Sequence, residues 1–167
     1  MDELNRTVLI EKNKANNKKK ILKNINNIKN ELDNISNSIE NIKFYENKFN
    51  NSDSKNNFTK NEKIIITNCL EDINNITNKI VESITKLIKK KELESNIEML
   101  MKILKYDFLK IITYSNKEYI STDFYKLKIQ YIPVSNKKNL YKNILKMEKI
   151  INTTLKKSVI DIEKQIK

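Results

Sequence analysis

The groups in this chain that could do chemistry are lysine amines, tyrosine hydroxyls, scattered carboxylates and one thiol, Cys69. An enzyme made from them would need a carboxylate pair for acid–base work, a lysine able to form an imine, or a tyrosine acid. No spacing in the chain singles out such a set. The absence of His removes Ser-His-Asp and Cys-His pairs, His-ligated zinc and the usual proton carrier at neutral pH. The absence of Gly removes the P-loop, the dinucleotide fingerprint, the nucleophile elbow and the EF-hand, which need backbone without a Cβ. A single Cys excludes zinc ribbons, CxxC redox pairs and any intramolecular disulfide. Cys69, beside Leu70 on an apolar stretch, reads as an inert buried thiol. The carboxylates form no close-spaced group resembling a metal site. The expectation is a non-enzymatic protein with no cofactor and no metal.

Binding chemistry rests on lysine. The 167 residues include 32 Lys, 28 Ile and 27 Asn, just over half the chain, and these are the residues that A/T-rich codons supply. Genome composition therefore explains much of the +12 net charge, but not where the charge falls. Residues 1–30 carry eight basic and three acidic side chains, residues 138–167 carry the same numbers, and the middle is nearly balanced. Lys12, Lys14, Lys18, Lys19, Lys20, Lys156 and Lys157 are the candidate phosphate contacts, with affinity expected to fall steeply as salt rises. Solvated helix faces are the plainer reading of the same residues. Arg6 is the only arginine, so any nucleic-acid contact would be to the backbone rather than to base edges.

The elements that would position these groups are legible from the apolar residues. Ile21, Ile25, Ile28, Leu32, Ile35, Ile39, Ile42 and Phe49 recur at steps of three, four and finally seven residues, a 3.5-residue repeat on one narrow helical seam. Such a seam suits either a partner chain or a helix of an internal bundle, and patterning does not separate the two. A polar stretch from Asn50 to Asn57 reads as a loop. Thr59-Lys60-Asn61-Glu62 is a capping box opening a second helix over about 60–91, expected to fold back on the first as an antiparallel hairpin. Ser95-Asn96-Ile97-Glu98 is a further cap, so a third helix starts there unless one helix runs through to about 105.

Residues 106–134 read differently. Tyr125, Leu127, Ile129 and Tyr131 alternate with Lys126, Lys128 and Gln130, the pattern of a half-buried strand ending before Pro133. Phe108 to Tyr114 and Glu118 to Ser121 suit a preceding hairpin, although the earlier residues also fit a helix. The strand's tyrosines share their face with Leu127 and Ile129, which favours core packing over base stacking. Ser135 opens a last amphipathic helix running through Leu140, Ile144, Met147, Ile151, Leu155, Val159, Ile162 and Ile166.

The expected fold is mainly α: a long helical hairpin or coiled-coil bundle with a small β element at about residues 107–134 and a long C-terminal helix. The expected division is a basic, weakly patterned segment 1–20, a helical hairpin 21–105 and a small head 106–167 with its closing helix, unless the chain forms one domain throughout. The expected function is interaction or scaffolding, with a protein partner or a second copy held along the seam from Ile21 to Phe49. The alternative is a nucleic-acid- or ribonucleoprotein-associated protein using its Lys-rich ends. No secretory core follows the acidic start, and apolar runs such as Ile64 to Ile66 are too short to cross a bilayer. An intracellular, soluble protein, cytoplasmic or nuclear, is the expectation.

Overall fold

Helices form here because of where isoleucine recurs, against the preference of what lies between. Between residues 21 and 42 the chain carries seven Asn, each up to about 0.7 kcal/mol worse than Ala in a helix. The same stretch buries seven Ile and Leu side chains, each stabilised by roughly 2 kcal/mol on leaving water. Burial wins, and it requires neighbours to pack against.

The computed structural model describes residues 2–49, 59–116 and 137–166. They form α1 (Asp2–Phe49), α2 (Lys60–Lys89), α3 (Ser95–Asn116), α4 (Lys137–Ile150) and α5 (Lys156–Ile166). A π-helical turn, Ile151–Leu155, joins α4 to α5, so the two make one rod. The expected cap of α2 is present in full. Thr59 Oγ1 accepts from the Glu62 amide at 3.3 Å, and Glu62 Oε1 accepts from the Thr59 amide at 2.8 Å. Between α2 and α3 the chain turns through Lys91, which takes a positive φ of 53°. A glycine would suit that position, but the chain has none.

Neighbouring helices run antiparallel. Ile21 lies by Leu87, and Ile28 by Ile80, which sets α2 against α1. Ser115 donates to the Leu70 carbonyl at 3.4 Å, which sets α3 against α2. Lys43 pairs with Glu148 at 2.9 Å, and Lys29 pairs with Glu163, bringing the last rod back along α1. Asn96 donates to Gln165 at 2.6 Å, and Lys146 stands 5.4 Å from the Tyr114 ring, so the rod also runs antiparallel to α3. The result is an up-down-up-down four-helix bundle. One continuous core joins Ile21 to Ile42 of α1 with Ile66 to Ile84 of α2, Ile97 to Ile111 of α3 and Leu140 to Ile166 of the rod.

One expectation needs correction. Among the described residues there is no strand, and the beginning of the proposed β element is helical: α3 continues through Phe108 and Tyr114 to Asn116. The β-branched and aromatic run Ile111-Ile112-Thr113-Tyr114 favours strand locally. Met101, Leu104, Phe108, Ile111 and Ser115, however, fall at helical spacing and are all buried between α2 and the rod, and tertiary packing overrides the local preference. The alternation Tyr125 to Tyr131 lies outside the described residues. The boundary placed between 105 and 106 falls inside α3, and the basic segment 1–20 is continuous with α1. No described helix is long and apolar enough to cross a membrane.

Candidate interaction surfaces

The seam is the first candidate, and the chain fills it from within. Ile21, Ile25, Ile28, Leu32, Ile35, Ile39 and Ile42 are each no more than 5% exposed in the single chain. Their cover is α2 on one side and the C-terminal rod on the other, where Tyr141 also donates to the Ile42 carbonyl at 3.3 Å. Phe49 ends α1, and its side chain is outside the described ones. Within the single chain the seam packs as one helix of an internal bundle.

The candidate phosphate contacts separate into two places. Lys12, Lys14, Lys18, Lys19 and Lys20 are exposed on α1 before the buried seam begins, on a stretch whose described side chains from Asn5 to Asn16 are all exposed. Lys156 and Lys157 are exposed too, but Lys156 shares a cleft with Ser36 and Glu40. Ser36 is sixteen residues beyond Lys20, about 24 Å along the helix. The structure instead gives the α1 lysines new neighbours. Lys20 and Lys90 line one hollow with Ile21, Leu87 and Leu93. Lys86, Lys89, Lys90 and Lys91 close α2 at that same end, where cations also favour the helix dipole. Glu92 and Glu94 beside Lys14 and Lys18 temper this basic pole. The meeting of Lys20 with Lys90 follows only from the antiparallel hairpin.

A third surface was missed. Met99, Ile103, Tyr106 and Leu109 of α3 are 63%, 45%, 60% and 41% exposed. Met99, Ile103 and Tyr106 each stand two residues after a buried core residue, Ile97, Met101 and Leu104. Two residues turn a helix by about 200°, so these three side chains point directly away from the core. The sequence did carry the signal, a second set at steps of four and three offset by two from the first.

Interior polar groups add little chemistry. Thr77 and Ser115 are fully buried and donate to the Ile73 and Leu70 carbonyls. Asp107 is buried, with Lys110 at 4.0 Å from Oδ1. Burial raises the Cys69 thiol above its ordinary pKa, and the nearby Asp72 carboxylate raises it further, so the thiolate is scarce at neutral pH. Among the described residues no group of three His, Cys, Asp or Glu converges on a space a metal could occupy. Comparison with known proteins gives no match to a family model, to a curated protein or to a solved structure.

Proposed function

We propose that this chain is a non-enzymatic helical interaction protein, a four-helix bundle that assembles with a partner through its outer surface. The observation that carries this reading is the apolar stripe Met99, Ile103 and Tyr106, aimed at solvent from a helix whose inner face is already packed. Contiguous apolar surface on the outside of a bundle favours association, because covering it removes area from water. The Ile21 to Ile42 seam supports the assembly indirectly, as the core that holds α3 rigid. The test is size in two settings. The purified chain should sediment as a monomer of 19.8 kDa, and in extracts of its own cells it should sediment in a larger, stoichiometric complex. Monomeric behaviour in both would count against the reading.

The basic pole supports a second reading, phosphate-backbone binding to nucleic acid. What favours it is the meeting of Lys20 with Lys90 at the end where the exposed α1 lysines begin. Binding to random single-stranded and duplex oligonucleotides between 50 and 200 mM salt tests it. With several phosphates contacted, affinity should fall by orders of magnitude across that range. No binding at the lower salt would end this reading.

A further inference from the structure

We infer that the outward row of lysines on α1 is a docking face for the phosphate backbone of duplex DNA. The inference deepens the second reading above and rests on it, since it names the face, its residues and the kind of nucleic acid. Between Glu11 and Glu31 the chain carries seven Lys and no Asp or Glu. Ile21, 5% exposed, marks the core direction of α1 at this end. Lys19 and Lys23 stand two residues from it and Lys12 nine, turns of about 180–200° on the helix. These three exposed side chains therefore point directly away from the core. Lys20 is exposed at the edge of the same face and meets Lys90 of α2 across the hollow they share. Lys14 and Lys18 do not belong to the row. Seven and three residues before Ile21, they continue the register of the seam and line a cleft with Glu92 and Glu94.

The charge of the row is not neutralised within the fold. No Asp or Glu lies three or four residues from Lys12, Lys19, Lys20 or Lys23, and no described carboxylate forms an ion pair with them or with Lys90. One carboxylate, Glu92, borders the hollow of Lys20 and Lys90. Further along α1, by contrast, Lys29 and Lys43 are paired with Glu163 and Glu148. From Lys12 to Lys23 is about 16 Å along the axis, over which one strand of B-DNA presents about five phosphates. Residues 1–43 and 60–105 contain no aromatic ring on which an unpaired base would stack. The face therefore selects by charge density, which is higher in a duplex than in a single strand. The major groove of B-DNA admits an α-helix, whereas that of A-form RNA is deep and narrow. Described side chains from Asn5 to Asn16 are all exposed, so this part of α1 is open to such an approach. Lysines are point charges without the fork of arginine, and they position a duplex without reading its bases. Between Lys12 and Lys23 the exposed side chains are Lys, Asn16 and Ala15, without the large apolar residues that a membrane-surface helix buries.

The experiment titrates the full chain with a short DNA duplex of arbitrary sequence across a salt series. With Lys12, Lys19, Lys20, Lys23 and Lys90 on phosphates, log affinity should fall with log salt at a slope of about −4.5, roughly five-hundredfold between 50 and 200 mM. A duplex of unrelated sequence should bind equally well. The single strand and an RNA duplex of the same sequence should bind roughly tenfold more weakly. Lys12→Gln with Lys19→Gln and Lys23→Gln should reduce the slope to about −1.8, with an unchanged circular-dichroism melt. Lys142→Gln with Lys156→Gln and Lys157→Gln removes the same charge from exposed positions on the rod and should leave the slope as it is. An unchanged slope in the α1 variant overturns the inference while the second reading survives, because the chain then holds nucleic acid elsewhere. An equal reduction in the rod variant also overturns it, since net charge alone would account for the binding. Single strand or RNA duplex bound as tightly as the DNA duplex overturns the choice of ligand. Vesicles of anionic lipid bound more tightly than the duplex, and released by the α1 changes, would assign the row to a membrane surface. No binding to any of these oligonucleotides at 50 mM salt ends the inference and the second reading together.

Discussion

The inner seam of α1 and the outer face of α3 are the same kind of object in sequence. Each is a set of large apolar side chains at steps of three and four on a helix rich in Lys. Their fates are opposite: Ile25, Ile35 and Ile42 are fully buried, whereas Met99 and Tyr106 are more than half exposed. The difference is not in the stripes but in what lies beside them. Two antiparallel neighbours, α2 and the C-terminal rod, close over the seam of α1, and those same two neighbours pack on α3 from its inner side. A helix in a four-helix bundle has one face toward the core. α3 carries a second apolar face, and among the described residues no further helix covers it. Periodicity therefore records that a helix will have a sticky face, and topology decides whose surface meets it.

Charge insertion should separate the two stripes most widely. Ile28→Lys with Ile35→Lys places two ammonium groups at positions no more than 3% exposed, at a cost of more than about 4 kcal/mol, which is comparable to the whole stability of a domain this size. The expected outcome is loss of the cooperative thermal transition and of most helical circular dichroism. Ile103→Lys with Tyr106→Lys on the outer face should change stability by no more than about 0.5 kcal/mol. Should the seam variant stay folded and monomeric, the seam is not the core of the chain, and the contrast drawn above collapses.

The same contrast explains how much was readable beforehand. The seam from Ile21 to Ile42, the capping box at Thr59, the third helix from Ser95 and the rod from Leu140 to Ile166 all follow from local spacing and local hydrogen bonding. These operate within a few residues, so one sequence displays them. Three things were not readable, each because it depends on distant residues. The helicity of Ile111 to Tyr114 depends on the contact of Phe108 and Ser115 with other helices. The meeting of Lys20 with Lys90, and the separation of Lys156 from both, depend on which helices run side by side. The isolation of Met99, Ile103 and Tyr106 depends on the inward set Ile97, Met101 and Leu104 winning the core. That competition is invisible when both sets are apolar. The fold class was thus largely legible, while the surfaces that could bind anything were not.

A smaller effect sharpens the comparison at the start of α2. Thr59→Ala removes the oxygen that accepts from the Glu62 amide and breaks the reciprocal cap, at a cost of about 1 kcal/mol. Since α2 covers the seam, the urea midpoint should fall accordingly. The outer face of α3 is untouched by this change. Cys69 provides a parallel readout of the same helix. With its thiol pKa raised by burial and by Asp72, alkylation at pH 7.5 should be slower than for an exposed cysteine, because less thiolate is present. It should accelerate in step with unfolding in urea. Rapid alkylation of the folded chain would mean that α2 is not packed as described.

The smallest effect belongs to the other end of α2 and has the opposite sign. Lys91 holds φ at 53°, a left-handed conformation that costs a residue with a Cβ roughly 1–2 kcal/mol. Lys91→Gly removes that cost but adds freedom to the unfolded chain worth about 0.4–1 kcal/mol, so a net gain of about 0.5–1 kcal/mol is expected. Lys91→Asn tolerates the same backbone with less unfolded-state entropy and should give a comparable rise. Lys91→Pro, whose φ is locked near −65°, should instead destabilise. Urea midpoints measured at constant m-value distinguish the three. The glycine variant also removes one charge beside Lys90 at the basic pole. If that pole binds phosphates, the same protein should show both a higher urea midpoint and a salt slope for oligonucleotide binding reduced by about one. A higher midpoint with an unchanged slope would mean that Lys91 serves only the turn between α2 and α3.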